Sequence, residues 1–414
     1  MHCIRFCLLM LLLPAGGVIS QEIIRTSAIA PDDPLLPDGF RIAAHLDCGN
    51  QTQSTQETGP RIAVISGEAY RFPGIEGPLA AAACSQERVV VAVSGMLPDT
   101  DYVLGFTWWD ADKQGRVQSV RFHVGEDDGW RTVLPPVRAC AYHKDKSTWA
   151  RVLLPITEAY REGGRTQVAF VREAGPDAVV NEIWLLERTE SSARRRVLVV
   201  TGDDYVGHHW RETAPHLADL IREDERLEVS ITECPAIYGS PLLENYDATV
   251  IHFKDYSKRL PLGPDTWTGL ERHIAGGRGL VITHFGCGAF QEWEGFVKIA
   301  GRVWNPAMRP HDPHGRFEVR IADAAHAITH GMATFTVEDE LYTCLDGETP
   351  VRTLCEATSV VDRQVYPIAF VVEGLPGRVF HGTLGHDVRA FSAPGTHAMY
   401  RRATAWAAGL EPAP

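Results

Sequence analysis

Hydrophobic and polar positions follow two different patterns along the 414-residue chain, and the change falls near residue 190. Before it, short β-rich runs recur with turn-forming residues between them, and no stretch has helical spacing. The runs cover residues 88–93, 102–109, 117–122, 166–171 and 181–187. Regularly spaced strands without helices are typical of a sandwich. This pattern therefore predicts an all-β sandwich domain over residues 40–190.

The second pattern begins after the polar segment 190–196 and alternates strands with helices. Continuous apolar runs at 197–201, 247–253 and 279–284 predict buried strands, and the runs 366–373 and 377–384 predict a neighbouring pair. Helical spacing occurs over residues 210–222, 266–275, 289–300 and 397–408. Such alternation predicts a doubly wound parallel sheet with helices on both faces over residues 196–410.

The N-terminus predicts a secretory signal peptide over residues 1–20. Arg5 precedes an apolar run, Leu8 to Leu13, and Ser20 is a suitable residue before a cleavage site at Gln21. We therefore expect an exported protein, periplasmic or extracellular. No second stretch is long enough to cross a bilayer. The net charge of −13, from 40 basic and 53 acidic residues, argues against nucleic acid or an anionic membrane as partner.

Cysteine usage excludes two common classes of small domain. Of the nine cysteines, Cys3 and Cys7 lie in the predicted signal peptide, which leaves an odd number, seven. They are widely spread and form no C-x-x-C pair, unlike a disulfide scaffold or a zinc ribbon. A bridge from Cys48 to Cys84 or Cys140 is a candidate.

Three histidines follow predicted parallel strands. His209, His284 and His386 each come just after an apolar run, and ligands bind at the carboxyl ends of strands in open α/β sheets. We therefore expect the three imidazoles to converge. They can bind zinc or another divalent metal with one open position, or act as general acid and base without a metal. His252 follows another strand and is a further candidate for the same edge.

A set of short motifs in the second half carries a family resemblance. They are Gly207-His208-His209-Trp210, Tyr246-Asp247, Gly276-Gly277-Arg278-Gly279-Leu280-Val281, Asp339-Glu340-Leu341-Tyr342, Gly377-Arg378-Val379-Phe380 and Leu384-Gly385-His386-Asp387. Together they resemble the trehalose-utilisation (ThuA-like) family over about half of the chain. The resemblance implies a flavodoxin-like sheet of the class I glutamine amidotransferase type. Members commonly have His-Ser where this chain has His284-Phe285, so any role of that serine is lost.

The resemblance also implies a function, with alternatives. We expect an exported enzyme acting on a sugar or on an oxidised (keto) sugar or glycoside, as a hydrolase, a lyase or an isomerase. The other interpretation is a non-catalytic carbohydrate-binding protein that reuses the fold, because fold alone does not give function. A histidine cluster in one pocket favours the enzyme, whereas histidines splayed more than about 10 Å apart favour binding.

The amidotransferase-like superfamily places a nucleophilic cysteine on a sharp turn after a strand. Such an elbow needs small residues two before and two after its apex. Phe285 and Ala289 flank Cys287 at these positions, and the front one does not fit. We therefore place His284 at the apex and expect no glutaminase activity. The catalytic candidates are His284, His386, Glu340 as carboxylate ligand or base, Tyr342 as phenolic donor, and Asp387 to orient His386.

Carbohydrate is the expected partner. The substrate-binding candidates of the second half are His208, Trp210, Arg309 and His311. In the sandwich, Trp108, Trp109 and Trp130 are candidates for stacking on sugar rings. Because adjacent residues of a strand point to opposite faces, we expect one of Trp108 and Trp109 in the core and the other exposed. Asp110, Asp112 and Gln114 have the spacing of a loop cation site.

Overall fold

The computed structural model describes residues 33–413, except 56–58, 75–79, 111, 126–128, 140–141, 144–145, 148–149, 191–192, 203–206, 255–261 and 291. The predicted signal peptide and Cys140 lie outside the described residues. Within the described ranges, no helix is both long enough and apolar enough to span a membrane.

The first half of the chain consists almost entirely of strands. They are β1 (Phe40–Asp47), β2 (Thr52–Thr55), β3 (Arg61–Ser66), β4 (Glu68–Arg71), β5 (Ala81–Ser85), β6 (Arg88–Ser94), β7 (Tyr102–Trp108), β8 (Val117–His123), β9 (Trp130–Arg138), β10 (Tyr142–His143), β11 (Lys146–Ser147), β12 (Ala150–Ile156), β13 (Thr166–Ala174), β14 (Ala178–Val180) and β15 (Glu182–Arg188). A single 3₁₀ turn, Glu158–Tyr160, is described among them.

Two five-stranded antiparallel sheets face each other in this half, in the orders β12-β7-β15-β1-β2 and β3-β6-β13-β8-β9. Alternate side chains of both sheets enter one apolar core, where the rings of Phe106 and Phe170 are 5.0 Å apart. A three-stranded sheet, β14-β5-β4, and the short pair β10-β11 complete the described strands. The all-β architecture predicted for this part of the chain is therefore confirmed.

Three detailed expectations for the first half are wrong. Trp108 and Trp109 are both only 1% exposed, so neither ring has a face open to a sugar. The loop carboxylates of Asp110 and Asp112 form ion pairs with the buried Arg116 guanidinium, so they are not arranged to bind a metal cation. Cys48 and Cys84 are free thiols that form no bridge.

The second half alternates strands and helices before it ends in a mainly antiparallel region. Its elements are β16 (Arg195–Val200), α1 (Trp210–Arg222), β17 (Leu227–Thr232), β18 (Ala248–Ile251), α2 (Pro264–Ala275), β19 (Gly279–Thr283), α3 (Phe296–Ala300), β20 (Gly315–Ile321), β21 (Phe335–Asp339), β22 (Val351–Thr358), β23 (Val365–Val372), β24 (Val379–Gly382), α4 (Val388–Ser392) and α5 (Pro394–Ala407). Short 3₁₀ turns cover Pro235–Gly239, Pro241–Asn245 and His284–Gly288.

One nine-stranded sheet organises this half, in the order β17-β16-β18-β19-β24-β23-β22-β20-β21. Its first five strands are parallel and have the 2-1-3-4-5 order of a flavodoxin-like fold, so the predicted fold class is confirmed. The remaining four strands are antiparallel and were not predicted in full. The helix expected over 289–300 is shorter than predicted, because a 3₁₀ turn and a loop precede α3.

The two halves pack tightly against each other. Arg188 of β15 donates two hydrogen bonds of 2.8 Å to Glu228 of β17, and Arg151 of β12 pairs with Glu233 at 3.0 Å. One continuous apolar cluster contains Leu134 of the first half and Tyr238 of the second. The first half thus covers the β17 end of the nine-stranded sheet.

Candidate functional site

Three histidines and one glutamate meet at the carboxyl ends of the parallel strands. One ligand atom from each of His208, His284, Glu340 and His386 lies within 4.8 Å of the others. The Glu340 Oε2 atom is 3.5 Å from His284 Nε2, 3.4 Å from His386 Nδ1 and 4.0 Å from His208 Nε2. The convergence expected of His284 and His386 is therefore present, and Glu340 lies at its centre.

His284 is held at the apex of a sharp turn after β19. Its backbone φ is +39°, in the left-handed region that residues with a Cβ rarely adopt. Gly286 is required two residues later, because a Cβ there would lie 2.9 Å from the Ile251 carbonyl oxygen. The His284 Nδ1 atom lies 2.7 Å from the Thr383 carbonyl oxygen and donates to it. That bond leaves the lone pair on Nε2, which faces Glu340.

Glu340 and His386 are positioned by one buried carboxylate, Asp339. Its Oδ2 accepts from the Gly385 amide at 2.7 Å, and its Oδ1 accepts from the amides of Glu340 and His386 at 2.7 and 3.3 Å. Asp339 ends β21, while His386 follows β24. The Asp339 carboxylate therefore fixes the two loops that carry two members of the cluster.

His209 is not a member of the cluster, contrary to the sequence prediction. It occupies the N-cap position of α1 and is exposed, whereas His208 is buried and faces His284 and His386, with ring centroids 5.1 and 4.8 Å away. Adjacent residues at the start of a helix point in different directions, so a shift of one position exchanges an inward side chain for an outward one. His208 was predicted to contact substrate and instead supplies the third imidazole.

His311 and Tyr342 line the open side of the cluster. His311 Nε2 lies 3.7 Å from the other carboxylate oxygen of Glu340, Oε1, and its side chain is 29% exposed. The Tyr342 ring is 4.5 Å from that of His284 and stacks on His311 at 5.7 Å. Both predicted residues thus lie beside the cluster.

Charge and burial shift the pKa values of the clustered side chains in opposite directions. Burial, together with the neighbouring imidazoles of His284 and His386, lowers the pKa of His208 to about 2, so the His208 imidazole is neutral. Burial alone would raise the pKa of Glu340, but contacts with His284 and His386 hold it well below its usual value. The Glu340 carboxylate in turn raises the pKa of His386. The cluster therefore combines a carboxylate with one neutral imidazole, His208, and with His386, whose protonated form the carboxylate favours.

The donor set fits a divalent transition metal such as zinc. His284 Nε2 and His386 Nδ1 are buried atoms that form no hydrogen bond in the structure. Their distances from Glu340 Oε2, 3.5 and 3.4 Å, are close to the spacing of about 3.3 Å between neighbouring ligands of tetrahedral zinc. Imidazole and carboxylate are ligands that zinc prefers. The residues present are thus suited to hold this ion.

Several other predicted residues are engaged elsewhere. Asp387 caps α4 by accepting from the Ala390 amide at 2.8 Å, so it is not arranged to orient His386. Arg309 is paired with Asp312 and Asp362. Trp210 is buried at the start of α1 and offers no open ring face.

Two further residues of this edge are enclosed. His252 is fully buried between the hydroxyls of Thr213 and Thr283, at 2.8 and 2.7 Å, and burial lowers its pKa to about 3. Cys287 is also fully buried, and burial raises the pKa of its thiol to about 12. A thiol of that kind is a poor nucleophile, in agreement with the placement of His284 at the apex.

Comparison with known proteins finds a matching family profile and several similar structures. A family profile described as trehalose utilisation (ThuA) matches residues 196–407, which are 212 of the 414 residues. A ThuA-like protein from Parabacteroides merdae is 21% identical, with a TM-score of 0.44 over 53% of this chain and 91% of that one. A ThuA-like protein from Bacteroides uniformis is 17% identical, with a TM-score of 0.43 over 53% and 93%.

A more distant similarity is to a glutamine amidotransferase from Thermotoga maritima. The two chains are 14% identical, with a TM-score of 0.30 over 46% of this chain and 75% of that one. The comparison with curated proteins gives no match.

Proposed function

This chain belongs to the ThuA family, and from that premise we propose that it is an exported, metal-dependent enzyme acting on a carbohydrate. One observation carries the proposal: four ligand atoms, from His208, His284, Glu340 and His386, lie within 4.8 Å of one another. A cluster so compact favours an enzyme over a protein that only binds carbohydrate.

His208, His284, Glu340 and His386 would hold the ion. A bound zinc ion supplies a Lewis acid and lowers the pKa of a coordinated water. The protein orients the ligands: Thr383 fixes the His284 tautomer, and Asp339 fixes the loops of Glu340 and His386. His311, on the solvent side of Glu340, is placed to contact a substrate oxygen.

The family's link to trehalose utilisation supports carbohydrate as the substrate class, and the candidate reactions are hydrolysis, elimination and isomerisation. The buried thiol of Cys287 and the elbow position of His284 argue against glutaminase chemistry. Export follows from the predicted signal peptide.

The deciding experiment compares two adjacent histidines. Wild type, His208→Ala and His209→Ala are purified, incubated with zinc, dialysed and analysed for metal by mass spectrometry. We expect about one zinc ion per chain in wild type and in His209→Ala, and a loss of that zinc in His208→Ala. The same three proteins are then screened for turnover of native and oxidised disaccharides.

Turnover that depends on zinc and disappears in His208→Ala supports the enzyme. Equal zinc content in the two variants would contradict the ligand assignment. Binding of sugars without turnover by the zinc-loaded protein would favour the carbohydrate-binding alternative.

A further inference from the structure

A buried lysine, Lys254, lies at the same edge of the sheet as the histidine–glutamate cluster. Lys254 follows β18 by three residues, at the same edge of the sheet, and is only 8% exposed. Its Nζ atom is 3.6 Å from the centroid of the Trp304 ring. A cation over an indole face is stabilised by the ring quadrupole, and more strongly when water is excluded. The surroundings thus hold a positive charge in a poorly solvated place.

Two aromatic side chains, Trp304 and Tyr342, form a chain of contacts from this lysine to the cluster. The Trp304 ring is 6.0 Å from that of Tyr342, and the Tyr342 ring is 4.5 Å from that of His284. Burial is the main cause that lowers the pKa of His208, and the charge of Lys254 adds to it. Lys254 is therefore part of the environment of the site.

Gly288 leaves space for the side chain of Lys254. A Cβ at Gly288, on the turn that also carries His284, would lie 2.8 and 2.9 Å from Cε and Cδ of Lys254. Any side chain at position 288 would displace the end of the lysine. Burial lowers the pKa of Lys254 to about 8, which still leaves the ammonium as the majority form at pH 7. Glycine at position 288 thus leaves room for the end of this charged side chain next to the turn that carries His284.

We propose that Lys254 is a specificity-determining residue that binds the carboxylate of a sugar acid, so that the substrate is a uronic or aldonic acid or a glycoside of one. This inference rests on the proposed function and narrows its substrate class. An ammonium shielded from water binds a carboxylate more strongly than a surface lysine does, because the effective dielectric constant is lower. A neutral sugar would lack that contact.

The test measures binding of D-glucuronate and D-glucose, which differ in a carboxylate against a hydroxymethyl group, to the zinc-loaded protein by calorimetry at pH 7. We expect glucuronate to bind about tenfold more tightly or better, from the usual strength of one charge-assisted hydrogen bond. Lys254→Met should abolish the preference, and Gly288→Ala should weaken it by displacing the amine. Lys298→Met, which removes an exposed lysine of α3, should keep it.

Zinc content and circular dichroism are measured for every variant, so failure of the metal site is seen separately from failure of this inference. Equal binding of the two sugars, or no binding of either, by the zinc-loaded protein overturns the inference. A preference that survives in Lys254→Met would assign carboxylate recognition to another group and also overturn it. If Lys254→Met does not fold, an unchanged preference in Gly288→Ala overturns the inference in its place.

Discussion

Replacement of Asp339 by asparagine tests whether one buried carboxylate organises the site. Its two oxygens accept three backbone N–H groups, from Gly385, Glu340 and His386. Asparagine has nearly the same shape but offers one acceptor oxygen, and its amide group is a donor. If the remaining side-chain oxygen still accepts from the backbone N–H groups of Glu340 and His386, the new NH₂ group faces the N–H group of Gly385. Those two groups are both donors, and neither then has an acceptor.

The cost follows from that geometry. Hydrogen bonds to a charged group contribute about 1.5–3 kcal/mol each, and an unsatisfied buried donor costs about 1–3 kcal/mol. Burial raises the pKa of Asp339, so removal of the charge recovers part of the loss. We expect Asp339→Asn to lower the free energy of unfolding of the metal-free protein by about 2–4 kcal/mol. Zinc affinity should fall as well, because Glu340 and His386 lose their common support.

The assay is urea unfolding in the presence of a chelator, together with a competition titration for zinc. Asp387→Asn is the matched control, since asparagine caps helices as well as aspartate does and the residue lies next to His386. Its stability should change by less than about 0.5 kcal/mol. Wild-type stability and zinc affinity in Asp339→Asn would refute the positioning role.

Two further predictions concern other buried groups. Cys287→Ser should leave zinc content unchanged and any turnover within a few-fold, because the fully buried thiol is not the nucleophile; a loss of several orders of magnitude in a folded variant would contradict this. Burial lowers the pKa of His381 to about 4, below the unfolded value of about 6.5, so its contribution to stability is complete above pH 6.5 and is lost as the pH falls toward 4. Between these limits the His381→Gln variant should show a pH slope of unfolding free energy smaller by up to about 1.4 kcal/mol per pH unit, and an unchanged slope would count against this assignment.

The parallel core of the fold was predictable because each central strand is a continuous apolar run. Strand β17 was not predicted, although all six of its residues are buried. It alternates polar and apolar residues, as an exposed strand would, and its polar face is covered by the first half of the chain through the Arg188–Glu228 pair. A contact so distant in sequence leaves no local signal.

The candidate site was predictable to within one residue. Position after a strand indicated His284 and His386, and the family motif indicated Glu340. The choice between His208 and His209 depends on where α1 begins and on the path of the loop before it, and no periodic pattern fixes either. The hydrogen bond from Gly385 to Asp339 joins the end of β21 to the loop after β24. It could not be predicted because the antiparallel strands that bring these two segments together were not predicted in full.

The apolar cluster shared by the two halves has a consequence for how the chain folds. Tyr238, Phe253 and Phe290 belong to the region matched by the family profile, yet they pack in the same cluster as Val133 and Leu134 of the β-rich half. Cutting the chain near residue 195 would divide this cluster and leave Glu228 and Glu233 without their arginine partners. The family region of this protein is therefore expected to unfold together with the β-rich half in one cooperative transition, and to aggregate when produced alone.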